Sequence, residues 1–369
     1  MLDVRRLRLL HDLDRLGTIA AVAAAHTYTP SAVSQQLSAL EREAGVPLLE
    51  RTGRRVTLTA AGHILVRHTA DVLAGLERAA AALAAARTGP AGPFRIGAFP
   101  TAVRTILPAA LVALARDHPA LELQVTELDP SAVPAALRER RLDAGLVHTY
   151  DSPGAVPPVP IDRQSIAPAM IDDRDVTSVA PSVHDDRDLE SVALLDEAVH
   201  LAVPAALPAA GLADLRDQPW IMATPGTLCH EITVRVCQAA GFTPRVRHRA
   251  DDFTAVLALV AAGQGVSLVP ALALAPPPSA APPAPGPSAP SPSVPSTSAP
   301  SPSLPGRPSP APAPPEPVPP TLAPAGIRLL PAPTRRRTRI AHRRGAATHP
   351  AVTALTAALR VAAQPFAPL

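Results

Sequence analysis

Residues 276–324 hold 22 of the chain's 48 prolines, interleaved with Ala and Ser. Proline holds φ near −65° and offers no backbone N–H, so such a run builds neither a helix interior nor a central strand. Its composition supplies no packed core either. The segment therefore reads as a disordered, polyproline-like tether of up to about 150 Å at 3.1 Å per residue. The folded parts must come from what precedes and follows it. The whole chain has 369 residues, 47% of them hydrophobic, which is enough for two or three domains. Aromatics make up only 2%, so those cores are built from Ala, Leu and Val.

All 34 basic side chains are arginine, and the net charge of +3 conceals a division. Residues 1–92 carry 11 Arg against 8 acids and residues 326–369 carry 8 against none, whereas the stretch between has 15 against 23. The ends are basic and the middle is acidic. The longest apolar runs, such as residues 79–86, fall short of the roughly 20 residues a membrane span needs, and the N-terminus has no apolar signal core. A soluble, cytoplasmic protein is expected. Two cysteines make no disulfide framework and the 12 His show no zinc-type spacing, so neither metal nor cofactor is expected. The second part of the chain has no Gly-x-Ser-x-Gly elbow and no phosphate loop, which argues against an enzyme.

Residues 7–87 read almost wholly as helix, with Leu7, Leu10 and Leu13, then Leu37 and Leu40, at buried-face spacing. Within this stretch, residues 18–26 and 29–41 form two helices joined by a tight turn. Thr18 and Thr29 are suited to cap them, and Pro30 sits at a first helical position, where its missing N–H costs nothing. In such a unit the second helix enters the major groove with short polar side chains near its start. Thr29, Pro30, Ser31, Ser34 and Gln35 are the candidates, and Gln pairs bidentately with adenine. Residues 51–58 suggest a small hairpin whose Arg51, Arg54 and Arg55 could reach phosphates or an adjoining minor groove. A long helix follows over residues 59–87, roughly 40 Å, with Leu65, Val72, Leu76 and Leu83 on one side. A helix of that length packs on a partner helix, which argues for a dimer.

From residue 94 short apolar runs alternate with helical stretches. Residues 94–97, 121–125 and 142–147 read as strands, with helices at 106–117 and 131–140, the βαβ alternation of a parallel sheet. A second such set occupies residues 189–274, with strands at 199–203, 220–223 and 265–268. Residues 151–188 read mostly as loop, order returns at Ile327, and residues 350–363 read as a closing helix.

The run TPSAVSQQLSALEREAGVPLLERTGRRVTLTAAG, residues 29–62, resembles the winged helix-turn-helix of LysR-type transcriptional regulators. Ala32, Val33 and Ser34, Leu40 and Glu41, Gly45, Leu48, Arg51, Arg54, Leu58 and Thr59, and Gly62 match its motif. Leu49 stands where the family has Phe, and His26 where it has an apolar residue closing the second helix onto the core. The resemblance continues through residues 94–97 with Leu107 and Pro108, residues 141–146, Leu215 with residues 219–221, residues 259–266 with Pro270, and residues 349–352. The acidic loop over residues 163–188 and the proline-rich insertion depart from it.

The resemblance implies a particular organisation. An α N-terminal winged helix-turn-helix (1–62) and a long linker/dimerisation helix (63–90) precede a two-lobed α/β periplasmic-binding-protein-like effector domain (91–275 and 325–369), interrupted by the 276–324 insertion. It implies a sequence-specific transcriptional regulator of double-stranded DNA, dimeric and further paired into a tetramer, controlled by a small-molecule effector. Strand ends meeting helix N-termini favour an anionic effector. Pro100, Thr101, Ser131, Thr224 and Thr227 are the candidate contacts, with Thr101 foremost, unless these hydroxyls are only helix caps. Cys229 and Cys237 raise a redox-responsive alternative, because peroxide-sensing family members carry two cysteines in this region. Eight residues along one helix, however, separate them by about 12 Å, beyond the roughly 7 Å limit of a bridge. A second alternative is a constitutive DNA-binding or interaction protein with a non-functional effector half. The arginines at 335–337, 339, 343 and 344 read as a solvated strand or tail, or as extra DNA contacts.

Overall fold

The computed structural model describes residues 1–52, 55–87, 89–151, 186–275 and 325–366. The 276–324 insertion, the acidic span over 152–185 and Arg54 lie outside the described residues.

The N-terminal unit comprises α1 (Val4–Leu16), α2 (Ile19–His26), α3 (Pro30–Ala44), a hairpin of β1 (Leu49–Thr52) and β2 (Arg55–Leu58), and α4 (Ala60–Ala85). Each helix start is capped by the side chain that the sequence places there. Asp3 accepts from the backbone of Arg5 and Arg6, Thr18 from Ala21, Thr29 from Ala32 and Thr59 from Gly62. Leu7, Leu10, Val22, Val33, Leu37, Leu40, Leu48 and Val66 form its core. Leu10 and Leu40 are fully buried, so truncating either to Ala costs about 2–5 kcal/mol. Glu41 accepts from the backbone N–H groups of Leu48 and Leu49, both at 3.0 Å, which pins the approach to the hairpin against α3.

The second part begins with β3 (Gly92–Ala98), α5 (Pro100–Arg104), α6 (Ile106–Asp117), β4 (Leu121–Glu127), α7 (Val133–Arg138) and β5 (Ala144–Asp151). It continues with β6 (Leu189–Pro204), β7 (Pro219–Met222), α8 (Leu228–Ala239), β8 (Arg245–Arg249), α9 (Phe253–Ala261) and β9 (Ser267–Pro270). Beyond the insertion come β10 (Ile327–Arg343) and α10 (Pro350–Ala363). The main sheet runs β4-β3-β5-β10-β6-β9, with β7 and β8 paired separately. The expected parallel sheet is therefore mixed. Pairing is parallel for β3 with β4 and β5 and for β7 with β8, but β10 runs antiparallel to both β5 and β6. Strands β6 and β10 are long enough to pass through two cores. Ile340 of β10 sits with Ile96, Leu107 and Leu355 in the first lobe, and Leu330 sits with Trp220, Val236 and Leu268 in the second. The strand after the insertion thus recrosses from the second lobe to the first, with Ile327 opposite Pro204 and Arg343 opposite Leu189.

Helix α4 has two faces. Val66, Ala70, Ala74 and Ala81 are buried, while Ile64, Val72, Leu76 and Leu83 are exposed. Leu65, expected on the outer seam, packs instead against the core of the N-terminal unit, and Ile64 takes the outward position. The small inner residues permit a close approach to the first lobe. Gly345 lies against the Ala74 carbonyl so tightly that a Cβ on it would come within 2.3 Å of that oxygen, and its φ is +88°. Ion pairs surround this contact. Glu77 meets Arg140 and, at 3.2 Å, Arg343; Asp71 meets Arg344 at 3.2 Å; and His11 meets Asp188 at 3.1 Å.

Candidate functional site

The first candidate is the N-terminal end of α3. Thr29, Pro30, Ser31 and Gln35 are exposed and Ser34 is half-buried. The oxygen of Thr29 accepts from the Ala32 N–H at 3.2 Å and lies 3.0 Å from the Ser31 hydroxyl. The Ser34 hydroxyl donates to the Pro30 carbonyl at 3.0 Å. Thr29 is thus occupied with capping, whereas the Gln35 side chain makes no hydrogen bond among the described residues and is open to solvent. Tyr28, half exposed in the turn before α3, adds an aromatic ring to this face. Arg51 and Arg55 lie on the two hairpin strands, and Arg54 falls outside the described residues. His26 is half-buried, and its Nε2 lies 2.6 Å from an oxygen of Asp12, which Arg15 also contacts at 2.9 Å. The histidine in an apolar slot has therefore found a carboxylate on the neighbouring helix. Burial alone would raise the pKa of Asp12, but the hydrogen bonds from His26 and Arg15 outweigh it and hold the carboxyl below its ordinary value.

The second candidate lies where the lobes meet. Thr101 is buried on α5, and its hydroxyl accepts long hydrogen bonds, at 3.4 and 3.5 Å, from the guanidinium of Arg336. Arg336 Nε donates to Glu197 at 2.7 Å, and both side chains are 1% exposed. The second oxygen of Glu197 accepts from the Leu272 N–H at 2.5 Å. The guanidinium also stacks over the Phe99 ring at 5.0 Å. Next come His148, edge-on to Phe99 at 5.0 Å, then Tyr150 at 5.1 Å, and then Cys229, 3.6 Å from the Tyr150 hydroxyl. Burial, and then the charge of Arg336, drives the pKa of His148 well below its ordinary value, so the ring is neutral.

The other expected effector residues are spread around this cluster and are engaged locally. Pro100 is half-buried at the start of α5. The Ser131 hydroxyl donates to Asp129 at 2.6 Å. Thr224 is bound through backbone N–H and hydroxyl to Asp251, both at 2.7 Å. Thr227 caps α8 and donates to the Thr224 carbonyl at 2.8 Å. Of the five, Pro100 lines the open groove between the lobes, a cavity of about 460 Å³ whose other walls include Arg104, Glu127, Asp251 and Asp252. Three carboxylates against one guanidinium make this groove a poor host for the anionic effector expected from helix N-termini. The reason is that the caps are filled internally by Asp251, Asp252 and Asp129.

Sequence reasoning missed Glu197, Arg336, His148 and Tyr150. Their signal was present: Glu197 interrupts an otherwise apolar strand pattern, and one arginine of the 335–339 run falls on the inward side of a strand. The arginine-rich run is neither tail nor free basic patch. Arg336 is buried, Arg335 and Arg337 meet Asp196 and Asp151, and Arg343 and Arg344 meet Glu77 and Asp71. Cys229 and Cys237 both belong to α8, as expected. Burial raises the pKa of both thiols, that of Cys237 to about 12 within the apolar core of the second lobe.

Residues 4–63 match the family model described as "Bacterial regulatory helix-turn-helix protein, lysR family". Residues 87–174 and 162–294, in two overlapping matches, fit the one described as "LysR substrate binding domain". The chain is 30% identical over 257 residues to a probable hydrogen peroxide-inducible genes activator of Mycobacterium avium, covering 68% of this chain and 72% of that protein. It is 25% identical over 275 residues to the transcriptional dual regulator GltC of Bacillus subtilis, covering 73% and 81%. Among solved structures, an OxyR mutant of Corynebacterium glutamicum is similar at 21% identity and a TM-score of 0.47, covering 99% of this chain and 92% of that one.

Proposed function

The chain belongs to the LysR family of bacterial transcriptional regulators, and from that premise we propose a division of labour within it. It is a DNA-binding transcriptional regulator with an effector-binding domain. The N-terminal end of α3 reads base edges in the major groove through Gln35, with Pro30, Ser31 and Ser34 beside it and Thr29 holding the cap. Arg51, Arg54 and Arg55 of the hairpin meet phosphate or minor groove. Two chains pair through the outer face of α4, and such dimers pair again into tetramers. A small molecule enters the groove between the lobes and is sensed through Thr101 and the Arg336–Glu197 pair behind it. Its exposed surface is rich in hydrogen-bond donors or positive charge, because the groove walls are acidic.

The observation that carries this reading is the capped, solvent-facing start of α3, where Gln35 has no partner of its own among the described residues. The test selects an operator from genomic DNA by mapping bound fragments and then titrates salt on operator and random DNA. Gln35→Ala should cost about 1–3 kcal/mol on the operator and little on random DNA. Arg51→Ala and Arg54→Ala should weaken both and lower the salt slope by about one phosphate's worth. Equal losses on both DNAs for Gln35→Ala would remove α3 from the groove. The redox alternative is disfavoured by the thiols themselves, since groups held protonated by burial make poor nucleophiles toward peroxide.

A further inference from the structure

A cavity of about 60 Å³ lies where α1 and α4 face the first lobe, and five arginines line it: Arg8, Arg138, Arg140, Arg343 and Arg344. The acids on its walls are already engaged. Glu77 serves Arg140 and Arg343, Asp188 serves His11 and Arg138, and Asp12 serves Arg15 and His26. Arg344 pairs outward with Asp71 and Glu190. Arg8 is half-buried and, among the described residues, its side chain makes neither an ion pair nor a hydrogen bond. Arg138 is 13% exposed and pairs with Asp186 through its terminal nitrogen, but its Nε is buried without a hydrogen-bond partner, with an Asp188 oxygen 3.7 Å away. Burial, followed by the like charge of Arg140, lowers the pKa of Arg8 from the ordinary guanidinium value by more than the nearby charges of Asp12 and Glu77 restore, so the cation is removed from water with only partial compensation.

We propose that this cavity binds a small tetrahedral oxyanion, of the phosphate or sulfate type, through Arg8, Arg138 and Arg140, and so joins the DNA-reading unit to the first lobe. Guanidinium groups present paired N–H donors that match such an anion's oxygens. A single phosphate-sized group fits this cavity, and because the cavity opens to solvent an ester could leave its remainder outside. A bound anion would offer Arg8 its missing partner and the orphaned Arg138 Nε an acceptor. Because Arg8 lies on α1 while Arg138 and Arg140 belong to the first lobe, occupancy stiffens the junction between the two parts. The proposal is independent of the inter-lobe groove and of base reading by α3.

The test uses the full chain in chloride, inorganic phosphate, sulfate and glycerol phosphate at matched ionic strength, read by thermal melting and by equilibrium dialysis of labelled phosphate. Phosphate and sulfate should raise the melting temperature by roughly 5 °C near saturation relative to chloride, with one phosphate bound per chain. An equal rise with glycerol phosphate identifies the phosphoryl group of a larger molecule as the ligand; a rise with the inorganic ions alone identifies the free ion. Arg8→Met should melt at or above the wild-type temperature in chloride and lose the anion-dependent rise, and Arg8→Gln should behave alike. Arg51→Ala, which weakens any phosphate binding on the DNA-reading hairpin, should keep the rise. The proposal fails if phosphate and chloride give the same melting temperature, if Arg8→Met retains the full rise, or if Arg51→Ala abolishes it.

Discussion

Arg336 lies directly opposite Glu197 in the antiparallel register of β10 and β6, and its Nε donates to that carboxylate over 2.7 Å with both side chains 1% exposed. The register of the two strands breaks on either side of the pair, between Pro331 and Arg335 and between Thr338 and Arg339. The ion pair therefore occupies a short regular stretch between two irregular ones, at the level where the lobes meet.

Removing one member leaves an uncompensated buried charge. Arg336→Met or Glu197→Leu alone should cost about 3–5 kcal/mol, while the double variant should recover most of it because an apolar pair needs no desolvation. Urea denaturation of the three variants measures this. Single variants within 1 kcal/mol of wild type would show that water reaches the pair.

His148 sets a pH dependence. Its folded pKa lies well below the ordinary 6.5, because burial and then Arg336 disfavour the imidazolium. Between the folded pKa and 6.5 the unfolded chain binds the extra proton, so this contribution is complete above pH 6.5 and is lost as pH falls. The expected loss is about 1.4 kcal/mol per pH unit below 6.5. His148→Phe keeps the ring packing against Phe99 and Tyr150 and should flatten the stability profile between pH 6.5 and 5. An unchanged slope would place the titrating group elsewhere.

Gly345→Val would push a Cβ to within 2.3 Å of the Ala74 carbonyl at a positive φ. The contact of α4 with the first lobe should open, costing about 2 kcal/mol or more. Limited proteolysis near residues 86–91 should then run faster than in wild type. Wild-type cleavage rates and stability would mean that the lobe does not rest on the linker helix in solution.

Leu83 is 74% exposed and Leu76 45%, on the face of α4 that no described residue covers. Leu76→Asp and Leu83→Asp should shift the full chain toward monomer in sedimentation, at concentrations where wild type is dimeric. A dimer that survives both substitutions would locate the interface on another surface.

The parts legible in the sequence are those with local causes. Thr18, Thr29 and Thr59 announce helix starts through short-range side-chain caps, and the leucine spacing on α1 and α3 declares which face is buried. The closing helix over 350–363 and α6 over 106–117 are legible with their bounds, because periodic apolar residues follow a proline or precede a turn. What stayed hidden depends on contacts between distant residues. Strand β10 carries Pro331, Pro333 and six arginines, a composition that resembles an exposed tail until Glu197, Asp196 and Asp151 are brought beside it. Four of the five effector candidates are hydroxyls near helix starts, and the fifth is Pro100. Asp129, Asp251 and the Thr224 carbonyl engage three of them locally, a partnership that spacing along the chain does not reveal.

The position of β10 also governs the order of assembly. It fills the sheet between β5 and β6, yet it is made after everything else in that sheet and after the proline-rich residues. During synthesis at about 5–20 residues per second, the two lobes would therefore wait several seconds with an open seam through their middle. The N-terminal unit, whose contacts are local, can be complete long before then. A nascent chain could thus hold a formed DNA-reading unit while its sensing half still has two unpaired strand edges, and those edges are where a chaperone would have to act.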